Sequence, residues 1–205
     1  MQTKAVEVGQ WAQHEEFGVY PVGSKPKRML ICPQEPPEPD LIPNHAYLFK
    51  TAGDWRVHQI WSEFIAYHLG ALAGISVPRC FIGVDEKTGE MGALIEFFFG
   101  YPGEAVNARL VHGIDILKLL NANRVTDRPH SVRSNIRLCN VFRIPAAAAW
   151  WCKLITFDAL IGNTDRHPEN WGLLARTPVE ASQSYRRSTM EPALDTRFRS
   201  RGWPR

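Results

Sequence analysis

The spacing of apolar residues changes near Gly100, and this change limits the possible folds more than any other feature of the sequence. Before it, four short apolar runs bounded by turn residues predict strands: RMLIC (28–32), HAYLFK (45–50), RCFIGVD (79–85) and MGALIEFFF (91–99). Between the second and third runs, apolar residues from Val57 to Ala73 recur at helical spacing and stop at Gly74. The first hundred residues therefore predict a small mixed sheet with one helix packed against it.

The chain beyond Gly100 has a pattern typical of helices. IDILKLLN (114–121) predicts a short helix, and the polar, turn-rich residues 121–135 predict a surface loop or a flexible segment. Pro145 suits the first turn of a helix that continues to Ile161 and stops at Gly-Asn. Because this helix is apolar nearly all round, we expect it to lie buried in the core of a second, helical lobe.

The composition is that of a globular protein. Hydrophobic residues make up 44% of the chain and charged residues 22%. No apolar run reaches the roughly 20 residues that cross a bilayer, and the first residues contain no apolar signal segment. The four cysteines are scattered without a CxxC pair, which is typical of reduced thiols. We therefore expect a cytoplasmic protein with no membrane partner.

The net charge of +3 arises at the end of the chain. The segment from Arg186 onward holds six arginines against Glu191 and Asp195, and the rest of the chain is close to neutral. A basic tail can bind nucleic acid through its phosphates, but an irregular terminus without a partner has the same composition. We favour the second interpretation and expect no direct nucleic-acid binding.

The most informative segment is IGNTDRHPENWGLL (161–174), which follows the apolar helix directly. Phosphoryl transfer needs a residue that positions the attacking hydroxyl and oxygen ligands that hold magnesium. Kinase catalytic loops supply an aspartate and, five residues later, an asparagine, and Asp165 and Asn170 have this spacing. A purely structural interpretation is also open, in which Gly-Asn ends the helix and Thr164 or Asp165 caps the next turn.

Taken as a whole, GNTDRHPENWGLL (162–174) resembles the catalytic loop of the HipA-like bacterial kinases and, more distantly, the DRH-x-x-N loop of phosphoinositide kinases. Four further segments are similar to parts of that family, in the same order: GSKPKRML (23–30) to the phosphate loop, YLFK (47–50) to the strand with the nucleotide-binding lysine, WSEFIAYHLGALAGI (61–75) to the helix with its glutamate partner, and GALIEFF (92–98) to the strand that enters the hinge. The resemblance implies an α+β, two-lobed protein-kinase-like fold. Its N-lobe would be a small mixed sheet at 1–100, and its helical C-lobe would be incomplete, at 101–196.

The resemblance also implies a catalytic centre in the second lobe. Asp165 would be the catalytic base, and Arg166 and His167 would brace its loop. Asn170 would be a magnesium ligand. Asp195, in the segment PALDT, would be the second metal aspartate.

The first lobe would bind ATP. Lys50 would contact the α- and β-phosphates and pair with Glu63. The other nucleotide-binding residues implied by the resemblance are those of the phosphate loop and of the hinge, where adenine would bind: Gly23, Ser24, Glu96, Phe97 and Phe98.

Residues 197–205 (RFRSRGWPR) depart from the family pattern, in which an apolar segment and further helices follow the second metal aspartate. We expect this basic tail to be degenerate sequence and the chain to be a truncated kinase. Three functions remain open. The first is an ATP- and magnesium-dependent serine/threonine protein kinase, with a protein substrate and a toxin-type role beside an antitoxin-type partner. The others are a lipid or small-molecule kinase and a non-catalytic remnant that binds a nucleotide or a protein.

Overall fold

A computed structural model describes residues 2–15, 27–51, 58–120, 131–178 and 189–194 of the chain. The chain divides into two units, Met1–Glu104 and Ala105–Arg205, close to the change of pattern at Gly100. Among the described residues, none of the helices combines the length and the apolar composition that a bilayer crossing requires.

The first unit is built on a mixed sheet. Its elements are β1 (Val6–Glu7), β2 (Ala12–Gln13), β3 (Lys27–Ile31), β4 (Ala46–Thr51), α1 (His58–Leu72), β5 (Cys80–Asp85) and β6 (Glu90–Glu96). In the described ranges the strands form a six-stranded sheet of order β1-β5-β6-β4-β3-β2, in which β1 is parallel to β5 and every other pair is antiparallel. The four predicted strands and the helix are confirmed, whereas the two short N-terminal strands had not been predicted.

Alternation along β4 gives the two faces of the sheet different neighbours. Tyr47 and Phe49 lie in one buried cluster, whereas Leu48 lies in a second cluster with Ile60 of α1. The buried residues of α1 recur at helical spacing: Ile60, Glu63, Ala66 and Gly70. Helix α1 therefore covers the face of the sheet that carries Leu48 and, two residues further along, Lys50.

The second unit combines helices with a small sheet. Its elements are β7 (Val106–His112), α2 (Gly113–Leu120), α3 (Val132–Val141), α4 (Ala147–Leu160), β8 (Trp171–Pro178) and β9 (Thr189–Leu194). The strands described here pair antiparallel in the order β7-β8-β9. The run WGLL after Asn170 forms the start of β8. Strand β7 had not been predicted, so this unit is less purely helical than expected.

Helix α3 overturns part of the prediction of a loop at 121–135, because it begins at Val132. The helix starts with a capping box. The backbone N–H of Ser134 donates to the hydroxyl of Ser131 at 3.1 Å, and the backbone N–H of Ser131 donates to the hydroxyl of Ser134 at 2.7 Å. Ser134 takes the place of the usual Glu or Gln, and the polar sequence around it hid the helix start.

Helix α4 differs from its prediction in start and in burial. It begins at Ala147, so Pro145 precedes the helix and does not open its first turn. Its buried residues form one stripe: Ala147, Trp151, Leu154, Phe157 and Asp158. Ile155 is 40% exposed and Leu160 is 62% exposed. The expectation of burial nearly all round is therefore wrong: α4 packs one face against Trp171 and its neighbours in the core of the unit.

Candidate functional site

A buried lysine–glutamate ion pair joins β4 to α1. The ammonium of Lys50 lies 2.9 Å from Oε1 of Glu63, and the side chains are 12% and 9% exposed. Glu63 occupies the buried stripe of α1, where a carboxylate is costly unless a positive group faces it. Lys50 supplies that group from the covered face of the sheet, so the pairing expected from the sequence is present.

A second lysine lies beside this pair. Lys27 of β3 stands directly opposite Lys50 in the antiparallel register and is 8% exposed. Like charges at directly opposed positions repel one another, so this arrangement concentrates positive charge on one face of the sheet. Sequence reasoning missed Lys27. The signal was the antiparallel pairing of RMLIC and YLFK, which sets these two lysines opposite each other.

The predicted hinge begins where β6 ends, at Glu96. The backbone N–H of Phe97 donates to the carbonyl of Ala46 at 3.0 Å, and the carbonyl of Phe97 accepts from Nε2 of His45 at 2.6 Å. These bonds use both backbone polar groups of Phe97. Beyond it the rings of Phe98 and Phe99 pack against each other and against Phe97, which explains why the strand is shorter than the predicted 91–99.

Buried side chains brace this segment. The hydroxyl of Tyr101 donates to Oε1 of Glu96 at 2.7 Å, and its ring stacks on that of His45 with centroids 4.4 Å apart. Burial, and then the neighbouring Glu96 carboxylate, raise the pKa of Tyr101, so the phenol stays protonated and remains a donor. Neither His45 nor Tyr101 was singled out in the sequence, because their contact depends on the folded sheet.

In the second unit, the predicted catalytic loop starts where Gly162, with φ of 67°, ends the turn after α4. The side-chain amide of Asn170 donates to the backbone carbonyl of Asp165 at 2.6 Å, and Asn170 is 2% exposed. Nε2 of His167 lies 3.6 Å from the carboxylate of Asp165 and 3.1 Å from the Asn170 amide nitrogen. The loop thus holds together the two residues that the sequence paired.

A buried carboxylate that sequence reasoning missed supports this loop. Asp158 of α4 is 5% exposed and accepts two hydrogen bonds from Arg166, at 2.7 and 2.9 Å, and one from the side chain of Asn163 at 2.7 Å. Arg166 also donates to the carbonyl of Asn170 at 2.7 Å. The prediction that Arg166 braces the loop agrees with these contacts. In the sequence, Asp158 could have been recognised as the lone aspartate in an otherwise apolar helix segment.

A cavity of about 410 Å³ opens between α4 and the loop within the second unit. Its lining includes the carboxylate-bearing residue Asp165 and the apolar Ile155 and Ala159, together with Thr164 and His167. The proposed base therefore borders a space that admits a side chain of a second molecule.

The residues around Asp165 have the chemistry that magnesium requires. Asn170 uses its amide nitrogen to bond Asp165, so its oxygen Oδ1 is the atom suited to a cation, and carboxylate and amide oxygens are hard ligands. In the described ranges, no three His, Cys, Asp or Glu side chains converge as a metal site. Magnesium in phosphoryl transfer needs no such set, because one or two protein ligands and the phosphates of the substrate suffice.

Three of the predicted site residues cannot be compared with the structure. Gly23, Ser24 and Asp195 lie outside the described residues. The others fall into two groups: Lys50 and Glu63, with the hinge residues, in the first unit, and Asp165 and Asn170 in the second. Contacts within each group are those given above.

Comparisons with known proteins bear on the fold. Neither the family models nor the curated proteins gave a match. Among solved structures, the chain is similar to a Helicobacter pylori proinflammatory kinase, CtkA, with a TM-score of 0.66 and 17% identity. The match covers 94% of this chain and 60% of the other. The chain therefore has a kinase-like α+β fold, as expected, and spans about 60% of the length of that neighbour.

Proposed function

We propose that this chain is an ATP-dependent phosphotransferase in which Asp165 is the catalytic base. The observation that carries the proposal is the hydrogen bond from the side chain of Asn170 to the backbone of Asp165, at 2.6 Å. It fixes a carboxylate and a cation-binding amide oxygen in one loop of a kinase-like fold. The structural neighbour from Helicobacter pylori is itself a kinase, which is consistent with this chemistry.

In the proposed reaction, Asp165 accepts a hydrogen bond from the acceptor hydroxyl and takes its proton as the phosphoryl group is transferred. The cavity beside Asp165 has room for the side chain that bears this hydroxyl. Asn170 and Asp195 would hold magnesium, which would neutralise charge on the phosphates. His167 and Arg166 keep the loop in shape and take no part in proton transfer.

The phosphates of ATP are assigned to the first unit. Lys50 contacts the α- and β-phosphates, and Glu63 keeps its ammonium oriented at 2.9 Å. Lys27, opposite Lys50 in the sheet, adds a second positive charge. A phosphate bound beside Lys50 would be attracted by both ammonium groups. By the family resemblance, Gly23 and Ser24 would supply backbone donors to the same phosphates.

Adenine is assigned to the segment at the end of β6. Both backbone groups of Phe97 are used within the protein, so fewer backbone groups can bind adenine than the sequence suggested. The adenine would bind to the carbonyl of Glu96 and the backbone N–H of Phe98, an acceptor and a donor that match the edge of adenine. Phe97 then contributes only its ring.

The finer assignment follows the resemblance to the HipA-like kinases. It comprises a serine/threonine protein substrate, an antitoxin-type partner, a toxin-type role and a cytoplasmic location. The free cysteines, of which Cys32, Cys80 and Cys139 are buried and Cys152 is exposed, agree with a reducing compartment. Burial raises the pKa of Cys32 to about 11, which keeps it protonated and unreactive.

The proposal is tested with purified protein in two assays. ATP with magnesium should raise the melting temperature, and radiolabelled γ-phosphate should pass to the protein itself or to a generic acceptor protein. Stabilisation by ATP without transfer would identify a non-catalytic nucleotide-binding protein instead. Transfer only to a lipid or small-molecule acceptor would place the chain among those kinases, and the absence of both responses would overturn the proposal.

A further inference from the structure

Asp158 lies two residues before the end of α4 and accepts three hydrogen bonds, although it belongs to the buried face of the helix. Nε and Nη2 of Arg166 donate to its two carboxylate oxygens at 2.9 and 2.7 Å. Nδ2 of Asn163 donates to Oδ1 at 2.7 Å. The guanidinium binds in a bidentate manner, which fixes the plane of the arginine as well as its distance.

Arg166 and Asn163, which donate to Asp158, also form hydrogen bonds with the backbone of the predicted catalytic loop. Nη1 of Arg166 donates to the backbone carbonyl of Asn170 at 2.7 Å. The side-chain oxygen of Asn163 accepts the backbone N–H of Asp165 at 3.2 Å. One carboxylate on a rigid helix is therefore linked to the backbone at both ends of the loop, through two bridging side chains.

From this connection we infer that Asp158 is a positioning residue, which sets the backbone of Asp165 and of Asn170 relative to α4. Asp158 lines the cavity beside Asp165, but its carboxylate accepts hydrogen bonds from Arg166 and Asn163, and it acts through them. The effect of Asp158 on catalysis rests on the proposed function. Its effect on the geometry of the loop can be measured without any activity.

Only a carboxylate can accept all three hydrogen bonds made at position 158. Its two oxygens accept from three donors that include a cation, and no donor of its own faces Arg166. Asparagine has nearly the same volume but would turn an NH₂ group towards the guanidinium, or leave one donor without a partner. Asp158→Asn therefore changes the bridge with little change in packing, and the rest of the α4 core can stay as it is.

The first unit offers a matched control. Asp85 is also buried, at 2% exposure, and is also paired with an arginine, since Nη2 of Arg28 lies 2.7 Å from its carboxylate. Its other bonds are to the backbone of the turn at Lys87 and Thr88. Asp85→Asn removes the same charge from the same kind of pair in the first unit, whereas the loop at 161–170 belongs to the second.

The test compares wild-type protein, Asp158→Asn and Asp85→Asn by hydrogen exchange and by kinetics. In Asp158→Asn, amides of the loop should exchange about tenfold faster while α4 keeps its protection. The kcat should fall by about 10- to 100-fold with the KM for ATP little changed, as expected of a misplaced catalytic group. Asp85→Asn should change neither loop exchange nor kcat.

A combined variant tests the route of the effect. If Asp158 acts through Arg166 and Asn163, adding Asp158→Asn to the double variant Arg166→Gln with Asn163→Ala should cause no further fall in kcat. Unchanged loop exchange in folded Asp158→Asn protein, or equal effects of Asp158→Asn and Asp85→Asn on the loop, would overturn the inference. If the wild-type protein transfers no phosphate but the loop amides still exchange faster in Asp158→Asn, the positioning role of Asp158 stands and only the proposed function is overturned.

Discussion

The ammonium of Lys50 and the carboxylate of Glu63 meet at 2.9 Å beneath helix α1, and both side chains are almost fully removed from water. Each charge makes the burial of the other tolerable. The pair also presents one strongly oriented cation on the face of the sheet that carries Lys27. A phosphate would bind to the first unit beside these side chains.

Removing Lys50 should weaken ATP binding and destabilise the protein, but for separate reasons. Lys50→Met leaves Glu63 buried without its partner, which costs about 3–5 kcal/mol of unfolding free energy. The double variant Lys50→Met with Glu63→Gln should recover most of that stability, because neither charge of the pair remains. ATP affinity, measured by calorimetry, should stay low in both variants. Wild-type affinity in the stable double variant would contradict the assignment of Lys50 to the phosphates.

Asn170→Ala should raise the magnesium concentration needed for nucleotide binding or transfer. Asn170 is 2% exposed and holds Asp165 through its amide nitrogen, so its loss would remove the proposed cation ligand and would also loosen the loop. We expect at least a tenfold change in apparent magnesium affinity, on the order found when groups at metal sites are removed. Asn140, exposed on α3, provides the control variant Asn140→Ala. The same magnesium dependence in both variants would argue against a ligand at 170.

The stability of the first unit should depend on acid pH through Asp85. The hydrogen bond from Arg28 holds the pKa of Asp85 below its usual range. The carboxylate therefore stabilises the folded protein at pH values above its unfolded-state pKa of about 3.9, and this contribution is lost as the pH falls through the lowered folded-state pKa. Urea unfolding of wild type and Asp85→Asn should differ most above about pH 5 and converge towards pH 2.

A matched substitution controls for the loss of one charge. Asp115→Asn changes an exposed aspartate in the first turn of α2. Its unfolding free energy should follow that of wild type across the same pH range. A constant difference between wild type and Asp85→Asn from pH 7 to pH 2 would show that the Arg28 pair does not lower the pKa.

Gly92→Ala should destabilise the sheet that carries Lys50. A Cβ at position 92 would lie 2.5 Å from the backbone carbonyl oxygen of Lys50 and 2.7 Å from the ring of Phe49. Because backbone cannot move aside as a flexible side chain can, we expect a loss of about 1–3 kcal/mol in denaturant unfolding. ATP affinity should fall as well, since the strain falls on the strand of Lys50. Unchanged stability would show that β4 and β6 are further apart than described.

The sequence was sufficient to predict elements whose apolar pattern is local. The helix with Glu63 and the strands around Lys50 were found because burial on one face imposes a repeat that is visible in the residues themselves. The segment from Gly162 to Asn170 was singled out because its whole string of residues resembles a kinase catalytic loop, and its catalytic role stays a prediction. Lys50 and Glu63 were paired through the family resemblance, and the structure places them in contact.

What was missed depends on tertiary contacts or on weak local signals. His45 has no distinguishing sequence pattern, and Asp158 is marked only as a lone aspartate among apolar helix residues. Their partners, Phe97 and Arg166, reach them only in the folded units. Strand β7 alternates apolar residues with Asn107 and Arg109, a period of two that indicates a strand, so a local signal was present there and was overlooked. Helix α3 begins with a serine pair in place of the more familiar serine and glutamate.

The catalytic assignment is tested most directly by single-turnover transfer of the γ-phosphate of ATP in wild type, Asp165→Asn and Glu169→Gln. Glu169 lies in the same loop, but its carboxylate side chain is 58% exposed, so it controls for loss of charge. The account predicts that Asp165→Asn lowers the transfer rate by about 10²–10⁴-fold while ATP still binds, and that Glu169→Gln transfers at the wild-type rate. Transfer by Asp165→Asn at the wild-type rate would contradict it.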